Sequence, residues 1–118
     1  MREYDVYIPE ELRMLQGMMK SFTDKVIMPA RQKIDDDHDH VIVKQILEEL
    51  VKTHYFQAPF PEDIGGLGAG VTSMASALGS EELGRGDGGI CVSAGCSLWP
   101  FMPAIWANNR AILEEFGR

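Results

Sequence analysis

The stretch PFPEDIGGLGAG, Pro59 to Gly70, puts two prolines and four glycines into one short connector. Read as a phosphate cradle it would belong to an α/β protein; read as a turn it joins two helices. A dinucleotide fingerprint needs a strand before its glycines and a helix directly after them, and a P-loop ends in Gly-Lys-Ser/Thr. Here the preceding segment has a helical pattern, no lysine follows, and Glu62 and Asp63 would repel phosphate. The turn reading prevails: Pro59 and Pro61 stiffen one side, and the glycines permit positive backbone angles before the next helix.

Toward the N-terminus, Ile42, Val43, Ile46, Leu47, Leu50 and Val51 trace one face of a helix that should end near Thr53 to Tyr55, with Lys44 and Glu48 on its wet side. Before it lies IDDDHDH, Ile34 to His40. Clustered carboxylates attract hard cations, but the turn glycine and distal glutamate of a calcium loop are missing, so this is read as a solvated acidic connector that ends one helix and caps the next. Further upstream Leu12, Leu15, Met18, Met19, Phe22, Val26 and Ile27 recur at helical spacing behind Pro9, Glu10 and Glu11, which suit a first turn. Pro29 should kink this helix rather than end it, since Ile34 continues the stripe.

On the other side of the connector, Val71, Met74, Ala75, Leu78 and Leu83 predict a third helix, rich in small residues at Ala75, Ala77, Gly79 and Gly84 that suit close helix packing. Gly86, Gly88 and Gly89 around Asp87 break the chain. From Gly89 to Ala107 the run GICVSAGCSLWPFMPAIWA carries no charge, which predicts an apolar helix buried on nearly all sides. It approaches the length of a membrane span, but two prolines dilute it and no basic cluster flanks it, so no membrane span is expected. RAILEEFGR closes the sequence.

Composition narrows the function. The 118 residues, 45% apolar and 25% charged, fit one globular domain, and a net charge of −7 disfavours nucleic acid and anionic lipid. Cys91 and Cys96 suggest neither a disulfide nor a metal pair, which fits a reducing cytoplasm, and the acidic N-terminus does not read as a secretory signal. Nothing in the spacing ties Ser93 or Ser97 to His38, His40 or His54 as nucleophile and base. The residues alone describe an acidic all-helical module without a complete active site.

The order of features resembles the flavin-dependent acyl-CoA dehydrogenases in their N-terminal helical domain. The likeness rests on EELRMLQGMMKSFTDKVIMPARQKID with its late proline, on ILEELVKTHYFQAPFPEDIGGLGAG, on SEELGRGDGG and on ILEEFGR. It implies an all-α fold for residues 1–118, an orthogonal helical bundle of about five to six helices, packed in full-length members against a β-domain and a C-terminal four-helix domain. It implies oxidation of an acyl-CoA to the 2,3-enoyl-CoA with FAD. The flavin-contacting segment and the catalytic base lie outside these residues, so the isolated domain is expected to be inactive and Glu81, Glu82, Glu114 and Glu115 are not assigned as the base.

By the same resemblance Cys91, Val92, Gly95 and Trp99 would face the acyl pocket, or else serve as core residues of a buried helix. Many relatives carry a bulkier residue at the position of Gly95, which implies a wider pocket unless Trp99 or Phe101 fills it. Leu15, Met19, Tyr55 and Leu67 would contribute to a shallow apolar pocket that docks an electron-transfer flavoprotein, or else pack internally. Leu78 and Gly79 stay unassigned, their register being unsettled. The isolated domain would expose the apolar surface that faces the β-domain in full-length members, which predicts self-association, and a homo-oligomer is expected. The rival readings are a stand-alone helical interaction module and a small membrane-associated helical protein.

Overall fold

A computed structural model describes residues 6–116. Pro9 caps the first helix, α1 (Glu10–Phe22), whose first turn carries Glu10 and Glu11 at the positive end of the dipole. Proline at position 29 has no amide to give, so the α-helical ladder cannot run through it. The backbone widens into a π turn over Thr23–Ile27, tightens into a 3-10 turn over Met28–Ala30, and resumes as α2 (Arg31–Asp35). The predicted kink is this π and 3-10 pair, and Ile34 beyond it still packs on the core.

The acidic connector ends α2 and caps the next helix, as its sequence predicts. One Asp37 oxygen accepts from the Val41 amide at 3.1 Å and the other from Ile42 and Val43 at 2.7 and 3.2 Å, at the start of α3 (Val41–Val51). These bonds occupy amides that a helix start leaves without partners. Among the described residues no cluster of His, Cys, Asp or Glu is placed to hold a metal ion.

The long loop after α3 leads to α4 (Ser73–Gly86), which Thr72 caps by accepting from the Ala75 amide at 3.1 Å. Asp87 then reverses the chain and caps α5 (Gly88–Leu98) through the Ile90 amide at 2.8 Å. The charge-free run is not one buried helix. It passes into a 3-10 turn (Trp99–Phe101) at Pro100 and on into α6 (Met102–Trp106), and within α5 only Ile90 and Ala94 are buried. Val92, Trp99 and Trp106 stand 58, 60 and 66% exposed. By length and composition Gly88–Trp106 could cross a membrane, but its mean hydropathy of 1.3 is weak and establishes no span. Finally α7 (Arg110–Phe116) returns over the loop. The fold is all-α, with no strand among the described residues. If the segments interrupted at Pro29 and Pro100 are each counted as one helix, five helices remain.

The slab measures 41 × 40 × 19 Å, about two helix layers deep. Its larger core gathers Met19, Phe22 and Ile27 with Ile46, Leu50 and Leu83, and Ile90 and Ala94 close it. A smaller cluster joins Phe60 and Ile64 of the loop to Ala104 and Leu113. The larger core is locked where α4 meets the π turn. The Thr23 hydroxyl, fully buried, donates to the Glu82 carbonyl at 3.0 Å, and a Cβ added at Gly86 would lie 2.8 Å from methyl carbons of both Thr23 and Ile27. The close approach expected of the third helix is therefore made at Gly86. Gly79 and Gly84 leave ordinary van der Waals room, 3.9 Å from their nearest neighbours. Ion pairs flank this seam, with Arg85 bonding the exposed Asp24 at 2.7 Å and the buried Glu82 at 3.0 Å.

The smaller cluster is tied by Arg110 of α7, which holds the Asp63 carboxylate. This hydrogen bond keeps the Asp63 carboxyl below its usual 3.8, against a smaller opposing effect of desolvation. A depressed carboxyl stabilises the fold above its ordinary pKa and loses that contribution as pH falls through the folded value.

Two predictions follow from these contacts. Gly86→Ala should destabilise the chain by about 1–3 kcal/mol through overpacking, whereas Gly17→Ala, with open space around its Cβ on α1, should stabilise it by roughly 0.5–1 kcal/mol; urea denaturation with equal midpoints for both would refute the contact at Gly86. Asp63→Asn should reduce the fall in melting temperature on acidification below about pH 4 and leave the slope above pH 6 unchanged, so an unaltered acid limb would show that the Arg110 clasp carries no stability.

Candidate functional site

Within the loop, glycine chemistry builds a rigid shape. Gly65, Gly68 and Gly70 have φ of +94, +66 and +64°, and a Cβ at Gly66 would lie 2.0 Å from the Phe60 carbonyl oxygen. Positive φ and such a close approach both call for glycine. The loop amides are spent internally: Gly66 donates to Pro61 at 3.0 Å, Leu67 to Gln57 at 3.1 Å, Gly68 to Phe60 at 2.8 Å and Ala69 to Ala58 at 2.9 Å. An anion nest needs amides that point outward, so the connector is the turn that its sequence predicts and no phosphate cradle. Phe60 anchors it edge-on against Phe101 at 5.5 Å, and Leu67 is left 54% exposed.

Leu67 stands at the edge of a groove of about 710 Å³. Leu12, Leu15 and Met18 of α1 form one side of the lining and Ala75 and Gly79 of α4 another. Tyr55 and Leu67 of the loop complete it, together with Leu98, Met102 and Ile105 of the α5–α6 segment. The groove lies between the two clusters, because Leu15 and Tyr55 pack on the larger one and Leu98 and Ile105 on the smaller. Its lining holds one carboxylate, Glu11, and no lysine or arginine. The Thr53 hydroxyl donates to the Leu50 carbonyl at 2.7 Å, and His54 Nδ1 is engaged by Gln57 at 2.7 Å. Burial holds the Tyr55 phenol above its usual 10.0, with the neighbouring Cys91 adding to the shift. A site of this kind takes apolar groups. It does not fit the diphosphate of a dinucleotide, which needs cationic or amide donors.

Of the four residues that the resemblance assigns to partner docking, Leu15, Tyr55 and Leu67 meet in this groove. Met19 does not: it is fully buried in the larger core. Its spacing could not distinguish it from Met18, because both lie on the broad apolar stripe, and it is Met18 that the helix turns outward. Gly79, unassigned from the sequence, lines the groove, and Leu78 is buried beside it.

Cys91, Val92, Gly95 and Trp99 do not line the groove, although Cys91 neighbours Tyr55, which does. Val92 and Trp99 project from the side of α5 opposite to the buried Ile90 and Ala94. A Cβ at Gly95 would touch the Trp99 indole at 3.6 Å, so Trp99 covers the space beside that glycine. Cys91 sits at the flank, its thiol 3.5 Å from the Ser80 carbonyl. Cys96, not singled out from the sequence, is an exposed free thiol on the same side.

Comparison with known proteins places this architecture. The acyl-CoA dehydrogenase N-terminal domain profile matches residues 9–110. The chain is 27% identical over 88 residues to the glutaryl-CoA dehydrogenase of Desulfococcus multivorans, a match that covers 75% of this chain and 22% of that protein. It is 30% identical over 93 residues to the Bacillus subtilis protein named "Probable acyl-CoA dehydrogenase YngJ", covering 77% of this chain and 23% of that protein. The matches therefore span less than a quarter of the length of these relatives. No solved structure matches the chain significantly. With a family match that runs from the start of α1 to the start of α7, the chain belongs to the acyl-CoA dehydrogenase family through its N-terminal domain.

Proposed function

We propose that residues 1–118 supply the N-terminal helical domain of an FAD-dependent acyl-CoA dehydrogenase that oxidises an acyl-CoA to the 2,3-enoyl-CoA. The family match over residues 9–110 carries this reading. FAD supplies the oxidising power and is held outside these residues, in keeping with a groove that lacks diphosphate donors. Removal of the α-proton needs a base, and we assign none in this chain: Glu82 is engaged by Arg85, and Glu114 lies near Arg110 on the far cluster.

Two surfaces are this chain's contribution. The exposed side of α5, with Val92, Gly95 and Trp99 and with Cys91 at its flank, forms part of the acyl pocket; its support is a charge-free helix that leaves large apolar side chains uncovered. The groove around Leu15, Tyr55 and Leu67 receives the electron-transfer flavoprotein; its support is an apolar concavity on rigid walls. The same uncovered apolar area favours a homo-oligomer, and the free cysteines accord with a reducing cytoplasm.

In the full-length protein, Leu67→Asp should slow electron transfer to the flavoprotein at least about tenfold, as loss of an apolar anchor does, and leave turnover with a small artificial acceptor unchanged. Equal losses with both acceptors would remove the docking assignment. Gly95→Leu should displace Trp99 and shift the preferred acyl length, so an unchanged preference would remove α5 from the pocket. A full-length protein that binds no flavin and oxidises no acyl-CoA would leave a helical interaction module in place of the enzyme.

A further inference from the structure

The groove carries an uneven distribution of sulfur. Met14 and Met18, one turn apart on α1, both line it, and Met102 of α6 lines it as well. Met14 is 70% and Met18 41% exposed, so both residues are reached by solvent and by small oxidants dissolved in it. Met19, next along the helix, is fully buried, and Met28 and Met74 are exposed but lie outside the groove. Helical geometry thus gives adjacent methionines opposite fates, and it supplies internal controls.

We infer that Met14 and Met18 are a peroxide-responsive modification site that sets the polarity of the groove. In the step, a hydroperoxide transfers one oxygen to the thioether sulfur. The sulfur lone pair forms the new S–O bond as the O–O bond breaks, the sulfide is oxidised by two electrons to the sulfoxide, and hydrogen peroxide leaves as water. A flexible apolar side chain becomes a polar one. The groove is lined chiefly by apolar side chains, and of its hydroxyls that of Thr53 is already committed to the Leu50 carbonyl. An apolar occupant would strip water from the S–O dipole and offer it no donor in return, which disfavours binding. The modification site stands on exposure and position alone; that it governs docking rests on the reading of the groove given above.

The test treats the full-length protein with hydrogen peroxide, maps sulfoxides by peptide mass spectrometry, and titrates the neutral apolar dye Nile red before and after. Met14 and Met18 should oxidise while Met19 does not, and dye binding should weaken about tenfold, the size expected for one polar group buried unpaired. Methionine sulfoxide reductase should restore it. Met14→Leu with Met18→Leu should keep dye binding after peroxide, whereas Met28→Leu with Met74→Leu should lose it as the unmodified protein does. Unchanged dye binding with both sulfoxides formed would overturn the proposal, as would equal loss in the Met14/Met18 variant. Transfer to the flavoprotein, measured on the same samples, separates this from the docking assignment: loss of dye binding with transfer intact would leave the modification site and remove its role in docking.

Discussion

The contact between Gly86 and the π turn is the constraint on which the remaining geometry rests. A side chain at 86 would collide with Thr23 and Ile27, so α4 can lie against the end of α1 only because that residue is glycine. The Thr23 hydroxyl then bonds the Glu82 carbonyl across the seam and fixes the two helices in register. The π turn makes this possible by offering Thr23 and Ile27, four residues apart, on the side that meets α4. Pro29 is the local cause of the departure from α geometry, because it supplies no amide to the ladder.

The consequence reaches the groove. Its lining draws on α1 and α4, so a seam that holds those helices at one end also positions Leu12, Leu15 and Met18 relative to Ala75 and Gly79 at the other. Small residues on α4 leave this space open: Gly79 stops short of Tyr55, with 3.9 Å between its Cβ position and the ring. The glycine loop closes the groove because its amides bond its own carbonyls, which gives Leu67 a defined position without a helix or strand to hold it. With the loop amides satisfied internally, little ordering entropy would be lost by an apolar group entering the groove.

The α5–α6 segment follows a different logic. A charge-free run is ordinarily read as a core helix, yet Val92, Trp99 and Trp106 are exposed. Periodicity reports where apolar residues lie and not whether anything covers them. In a slab two layers deep, a helix in the outer layer has one face against its neighbours, here Ile90 and Ala94. The other face is left uncovered by the described residues.

Local chemistry was enough to determine most of the helices, the turn at Pro59 to Gly70 and the capping role of the acidic connector, because capping, proline geometry and helical spacing act over a few residues and leave a pattern in the chain; the family came from the resemblance of longer stretches such as SEELGRGDGG. Of the four residues that the resemblance named for partner docking, Leu15, Tyr55 and Leu67 line one groove. Only the tertiary structure decided that Met18 rather than Met19 faces the groove, that Gly86 rather than Gly84 makes the close approach, and that α5 is uncovered on its outer side. Each of these depends on the rotation of one helix against another, and that rotation is fixed by contacts such as Thr23 with Glu82, between residues 59 positions apart.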